Sequence, residues 1–77
     1  MNIKRRRQIK KLITQLDDIQ QAITELQNEE EEARDNLPES LIDSDRYYSM
    51  DEAVNALEYA AGSIESEVLH YLEEAMN

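Results

Sequence analysis

One pair of side chains has the types and the spacing of a metal site: Glu67 and His70, three residues apart. On a helix this spacing places a carboxylate and an imidazole on one face, as in the Glu-x-x-His motifs of di-iron carboxylate bundles. The heptad described below assigns the two residues to positions g and c, so the imidazole points away from the packing seam. The facing stretch of the first helix, residues 10–14, carries no carboxylate. We therefore predict no metal site and no cofactor, and interpret His70 as a surface residue near Glu67 and Glu74.

Other catalytic signatures are missing from the sequence. The chain has no cysteine, one histidine and one glycine, which argues against a thiolate zinc site and a glycine-rich phosphate loop. No Ser/His/Asp set and no pair of buried carboxylates can be assembled from the predicted elements. We predict that the protein is not an enzyme.

The positive charges are concentrated at one end of the chain. Six of the eight basic residues form a basic segment within positions 4–11: Lys4, Arg5, Arg6, Arg7, Lys10 and Lys11. Such a cluster can bind nucleic acid or another anionic surface. We favour an intramolecular role, because cations at the start of one helix and anions at the end of an antiparallel neighbour are well matched. The expected acidic neighbours are Glu65, Glu67, Glu73 and Glu74. The net charge of −10 disfavours direct binding to duplex DNA, since repulsion offsets the phosphate attraction.

The negative charges cluster where the chain is expected to turn. Ten acids stand there against Arg34 and Arg46 alone: Glu29, Glu30, Glu31, Glu32, Asp35, Glu39, Asp43, Asp45, Asp51 and Glu52. The simpler interpretation, which charge alone favours, is a solvated face that keeps a small bundle in solution. The more specific hypothesis is a phosphate-like surface, carried by the first eight of these acids, that occupies a basic groove on a nucleic-acid-handling protein.

Two amphipathic helices must position these groups. From Ile9 a heptad repeat places a at 9, 16, 23, 30 and 37 and d at 12, 19, 26 and 33, which predicts a helix that packs along its length. A second stripe runs through 47, 50, 54, 57, 61, 64, 68, 71 and 75, and Pro38 separates the two. We predict a single all-α domain, an antiparallel two-helix hairpin with helix 1 at about 3–36, a turn at 37–43 and helix 2 at about 44–76. Ser44 is the expected N-cap of helix 2, in preference to Ser49.

The register of the two stripes and the surplus apolar residues together predict self-association. Pairing the stripes would place Ile9 by Tyr71, Leu12 by Val68 and Leu16 by Ile64, with Tyr48 and Tyr59 exposed. A two-helix seam rarely offsets the ordering cost of a chain this short. We therefore expect a homodimeric four-helix bundle or a higher oligomer. The residues expected to serve this contact are Ile13, Ala53, Ala60, Gly62, Leu69, Leu72 and Met76, with Gly62 allowing close approach of another backbone.

The sequence offers no segment for a membrane. No apolar run approaches the ~20 residues of a transmembrane helix. The basic start leads into Gln15, Asp17 and Asp18 instead of the apolar stretch of a signal peptide. We expect a soluble, cytoplasmic protein that does not bind membranes.

The turn and the second helix contain three recognisable segments: DNLPESL at residues 35–41, SDRY at 44–47 and EAVNALE at 52–58. With these segments, the turn and most of helix 2, about half of the chain, resemble small helical proteins of phages and mobile elements of Gram-positive bacteria. The resemblance implies a phage or mobile-element origin, a coiled-coil hairpin and action in the host bacterial cytoplasm. That group has no assigned activity to carry over. By analogy, small acidic phage proteins are often inhibitors of host defence, including CRISPR effectors.

The function predicted from the sequence is therefore that of a non-enzymatic protein-interaction module. It would act as an acidic, phage-derived inhibitor or regulator of a host nucleic-acid-handling or defence protein that has a basic surface. Three alternatives stay open at this point. They are a nucleic-acid-binding accessory protein that uses the basic segment, a small-ligand sponge with pockets between subunits, and a structural coiled-coil adaptor.

Overall fold

The computed structural model describes residues 1–77 and consists of helices without a strand. Helix α1 spans Ile3–Asp35. After the turn, α2 spans Asp45–Ser63 and continues through a π-helix, Ile64–Leu69, into α3, His70–Met76. We call residues 45–76 the second arm. The predicted all-α helical hairpin is thus confirmed in outline, as two long helical arms joined by a short turn.

Both arms begin at a side-chain cap. The Oδ1 atom of Asn2 accepts a hydrogen bond from the backbone N–H of Arg5 over 2.8 Å, and Ser44 Oγ accepts one from the N–H of Tyr47 over 3.3 Å. These bonds satisfy backbone donors that have no partner inside the first turn of a helix. The predicted N-cap at Ser44 is confirmed, and Ser49 lies inside α2.

The turn follows from the single proline. Pro38 holds an extended backbone, with ψ at 148°, and a short 3₁₀ turn, Glu39–Leu41, follows it. Leu41 is half-buried, while Ile42 is exposed. Asp43 then adopts a positive φ of 68°, a conformation that aspartate tolerates better than most residues. The chain reverses here and enters α2.

The seam of α1 differs from the heptad prediction by one position. Its half-buried side chains include a row at alternating spacings of four and three: Ile9, Ile13, Leu16, Gln20, Ile23, Gln27, Glu30 and Arg34. The expected d residues are outside this row, since Leu12, Ile19 and Leu26 are 48%, 50% and 53% exposed. The prediction of an a/d seam is therefore wrong, and the e positions replace d.

Polar contacts between the arms accompany this rotation. The Nε2 atom of Gln20 donates to Oε2 of Glu65 over 3.3 Å, and Nη1 of Arg34 donates to Oδ1 of Asp51 over 2.6 Å. Both donors occupy e positions, so the turn of α1 that brings them to the second arm carries the d residues outward. Apolar content alone does not reveal this preference, because leucine and isoleucine dominate the d positions.

The π-helix shifts the seam of the second arm. A π turn contains one more residue than an α turn, so the residues after it are rotated relative to an unbroken α-helix. Leu69 is consequently buried, at 8% exposed, and Leu72 and Met76 are half-buried. Val68 and Tyr71, predicted to face Leu12 and Ile9, are instead 42% and 65% exposed. Those two predicted pairs are wrong.

The hairpin is long and thin. Its principal extents are 60 × 16 × 11 Å, and Val54, Ala61 and Leu69 are its only buried residues. No helix combines the length and the apolar character that crossing a membrane requires. Three buried residues are a small core for a chain of 77 residues. Short chains bury only a modest share of their surface.

Candidate interaction surfaces

We call the end of the hairpin where α1 stops and α2 begins the turn end, and Arg34 is its central cation. Its guanidinium lies 3.1 Å from Asp35, 2.6 Å from Asp51 and 3.8 Å from Glu31, and its Cζ atom lies 6.0 Å from the centre of the Tyr47 ring. The hydrogen bond to Asp35, followed by the one to Asp51, raises the pKa of Arg34 above its ordinary value. The contacts with Asp51 and Tyr47 join α1 to α2, so this cation is engaged within the hairpin.

The acidic surface is the set of eight acids predicted to bind a partner. Six of its members are exposed: Glu29, Glu32, Asp35, Glu39, Asp43 and Asp45. Glu30 and Glu31 are half-buried. Only Glu31 and Asp35 form ion pairs, both with Arg34. The other six acids have no cationic partner, so the turn end concentrates negative charge facing solvent.

A hydrogen bond at the start of α2 ties one of these acids to a tyrosine. The hydroxyl of Tyr48 donates to Oδ1 of Asp43 over 3.3 Å. The negative charge of Asp43, together with this bond, raises the pKa of Tyr48 above its ordinary value, because ionising the phenol would place two anions side by side. Tyr48 is exposed, as predicted, and so is Tyr59.

The basic segment is free of ion pairs. In the four ion pairs of the chain, the basic partner is Arg34 in three and His70 in one. All six cations of the basic segment are exposed. None of these cations forms an ion pair with the expected neighbours Glu65, Glu67, Glu73 and Glu74. These carboxylates lie on exposed positions of the second arm, while the seam that meets α1 is formed by Leu69, Leu72 and Met76.

The residues predicted for self-association divide into three groups. Leu69 is buried inside the hairpin, because of the π-helix, and is unavailable to a second copy. Ile13, Ala53, Leu72 and Met76 are half-buried, and Ala60 and Gly62 are exposed. A Cβ atom on Gly62 would meet nothing within 4 Å, so this glycine allows no close approach within the chain. The sequence analysis did not count Leu12, Ile19 and Leu26 among the self-association residues, because it placed them in the seam. Their exposure makes them candidates for such a contact.

His70 makes the remaining contact of chemical interest. Its Nε2 atom lies 3.6 Å from Glu74, and both side chains are exposed. No group of three or more His, Cys, Asp or Glu side chains is placed to hold a metal ion. The largest surface hollow is open to solvent and polar, and it is lined by Asp17, Gln20, Gln21, Thr24 and Glu25.

Comparison of the chain with protein-family models, with curated proteins and with solved structures gives no match. The function of the protein must therefore be inferred from its own surfaces. Three of them are available: the acidic surface, the basic segment and the exposed apolar side chains of α1.

Proposed function

We propose that the protein is a non-enzymatic protein-interaction module. Its two arms run antiparallel, two copies form a four-helix bundle, and the acidic surface at the turn end binds a basic surface on another protein. The proposed target is a nucleic-acid-handling or defence protein of a bacterial host, which the module inhibits or regulates. A phage or mobile-element origin is part of this proposal and comes from the resemblance in the turn and the second helix.

The contacts between the arms support the antiparallel arrangement. Gln20 reaches Glu65, whereas Arg34, further along α1, reaches Asp51, which comes earlier in the second arm. The order of partners along one arm is thus the reverse of that along the other. The small core and the exposed apolar side chains of α1 favour a second copy.

The observation that carries the binding role is the imbalance of charge at the turn end. Six acids of the acidic surface have no ion pair, and the nearby Arg34 is held by Asp35 and Asp51. A dense anionic surface resembles a phosphate backbone in charge and attracts basic grooves over a long range. Such attraction speeds association and selects partners by charge complementarity.

The proposal is tested with two charge-reversal baits of equal net charge. One carries Glu39→Lys, Asp43→Lys and Asp45→Lys at the turn end, where all three residues are exposed. The control carries Glu58→Lys, Glu67→Lys and Glu73→Lys on the second arm, where all three residues are exposed. Each bait and the unaltered protein is incubated with a bacterial lysate, and captured proteins are identified by mass spectrometry.

We expect the control to retain the basic, nucleic-acid-handling proteins captured by the unaltered chain and the turn-end bait to lose them. Circular dichroism verifies that both variants keep their helicity. Capture that survives the turn-end reversal would contradict the proposed role of the acidic surface.

A second candidate function follows from the basic segment, whose six cations are exposed and form no ion pair. These cations could bind single- or double-stranded nucleic acid, with an affinity that falls steeply as salt rises. Fluorescence anisotropy with labelled DNA at two salt concentrations distinguishes this function. Salt-dependent binding that disappears when Lys4, Arg5 and Arg6 are replaced by glutamine would favour it over the acidic-surface model.

A further inference from the structure

Three exposed apolar side chains form a stripe along α1. Leu12, Ile19 and Leu26 follow one another at intervals of seven residues, and each is about half exposed. Seven residues are close to two helical turns, so the three lie on one face at steps of roughly 10 Å. Each of them immediately precedes a half-buried seam residue, which places the stripe directly beside the seam.

The second arm continues this surface. Ala53, Ala60 and Val68 immediately precede its three buried residues, Val54, Ala61 and Leu69. The contacts of Gln20 with Glu65 and of Arg34 with Asp51 lie on the other flank of the seam. One flank of the hairpin is therefore polar and bonded across the arms, and the other, the apolar flank, leaves Leu12, Ile19 and Leu26 about half exposed.

We propose that the apolar flank packs against the same flank of a second copy, with the two α1 helices antiparallel and the two-fold axis passing Ile19. The inference rests on the proposed dimerisation and specifies its face, its direction and its centre. Leu12 and Leu26 are equally distant from Ile19, so Leu12 meets Leu26 of the second copy while Ile19 meets its own equivalent. Ile19 is also the midpoint of α1, Ile3–Asp35, so the antiparallel helices overlap along their full length.

Charge complementarity selects this direction over the parallel one. The basic segment, residues 4–11, is as far before Ile19 as residues 27–34 are after it. The antiparallel dimer thus brings each basic segment beside the run Glu29, Glu30, Glu31 and Glu32 of the other copy. The acids at the turn itself, Glu39, Asp43 and Asp45, are left for the proposed partner. A parallel dimer would place six cations beside six cations and the glutamates beside one another, which repels. In the single chain the basic segment has no ion pair, so the dimer supplies the partners it lacks.

Cysteine cross-linking tests the arrangement directly, because the chain has no cysteine of its own. Ile19→Cys, Leu12→Cys and Leu26→Cys are each made at an exposed position and treated with a short bifunctional maleimide. We expect Ile19→Cys to give a covalent dimer. Leu12→Cys alone should give none, because its two copies are roughly 20 Å apart along the axis. An equal mixture of Leu12→Cys and Leu26→Cys should cross-link.

Two outcomes overturn the inference while leaving dimerisation intact. Cross-linking of Leu12→Cys with itself would indicate parallel helices, and absence of cross-linking in Ile19→Cys, with a dimer still seen by sedimentation, would indicate another face. A chain that sediments as a monomer would overturn the proposed dimerisation as well. As an independent check, Arg5→Glu and Glu29→Arg should each weaken the dimer, and the double variant should restore it.

Discussion

At the scale of single residues, polar side chains join the two arms beside a small apolar core. Arg34 and Gln20 occupy positions that a heptad assigns to the edge of the seam, yet each bonds across it. Sequence patterns find apolar seams well, because burial of apolar area is the largest favourable contribution. They cannot weigh a bonded arginine against an exposed leucine, and for that reason the a/d assignment of α1 was wrong.

We predict that Arg34→Met lowers the urea concentration at which the protein unfolds. The change keeps much of the aliphatic side chain but removes the contact with Asp51 and the approach to the Tyr47 ring. Arg46→Met is the matched control, because Arg46 is exposed and has no ion pair, and its midpoint should be nearly unchanged. Equal midpoints for the two variants would show that Arg34 does not hold the arms together.

Titration of Tyr48 gives a prediction about pH. Asp43 raises its pKa in the folded chain, so the neutral phenol adds to stability below the unfolded pKa of about 10, and this contribution is lost as pH rises through the folded value. We expect Asp43→Asn to lower the pKa of Tyr48, measured by the ultraviolet absorbance of tyrosinate. Glu52→Gln is a control, and a pKa that does not move in Asp43→Asn would contradict the assigned cause.

At the scale of elements, the sequence specifies where helices begin and end better than which side of each helix faces the other arm. Local bonding and sterics act at Asn2, Pro38 and Ser44. The break between the arms was predicted from Pro38, and the cap of the second arm was predicted from Ser44. The π-helix at Ile64–Leu69 has no such local signal. Sequence reasoning carried the α period through this stretch, and that error placed Val68 and Tyr71 in the seam instead of Leu69 and Leu72.

Deletion of Ser66 tests the π-helix. Removing one residue converts a π turn to an α turn, which leaves Leu69, Leu72 and Met76 in the seam. We therefore expect the deletion to change the free energy of unfolding by less than about 1 kcal/mol. Deletion of Asn55, an exposed residue in the regular α2 helix, is the control and should be strongly destabilising, because it rotates the seam by about 100°. Comparable losses for both deletions would contradict a π-helix here.

At the scale of the whole molecule, the hairpin is thin and has an uneven charge distribution. Three buried residues supply its core, and one flank leaves an apolar stripe facing solvent. The candidate acidic surface could be located from the sequence, since this needed only the positions of the acids and of the turn. The absence of ion pairs in the basic segment could not be predicted in the same way, because ion pairing depends on the orientation of each side chain about its helix.

Sedimentation equilibrium of the unaltered chain beside Ile19→Glu is the most direct test of the account. The protein has a mass of 9.0 kDa, and we predict that it sediments at twice this mass at micromolar concentration. A charge at Ile19 should return it to the monomer mass, because two buried glutamates would meet at the two-fold axis. Tyr59→Glu, a change at a more exposed position away from the apolar flank, should leave the dimer intact. Monomer mass for the unaltered chain, or a dimer that survives Ile19→Glu, would contradict the model of a hairpin completed by its own copy.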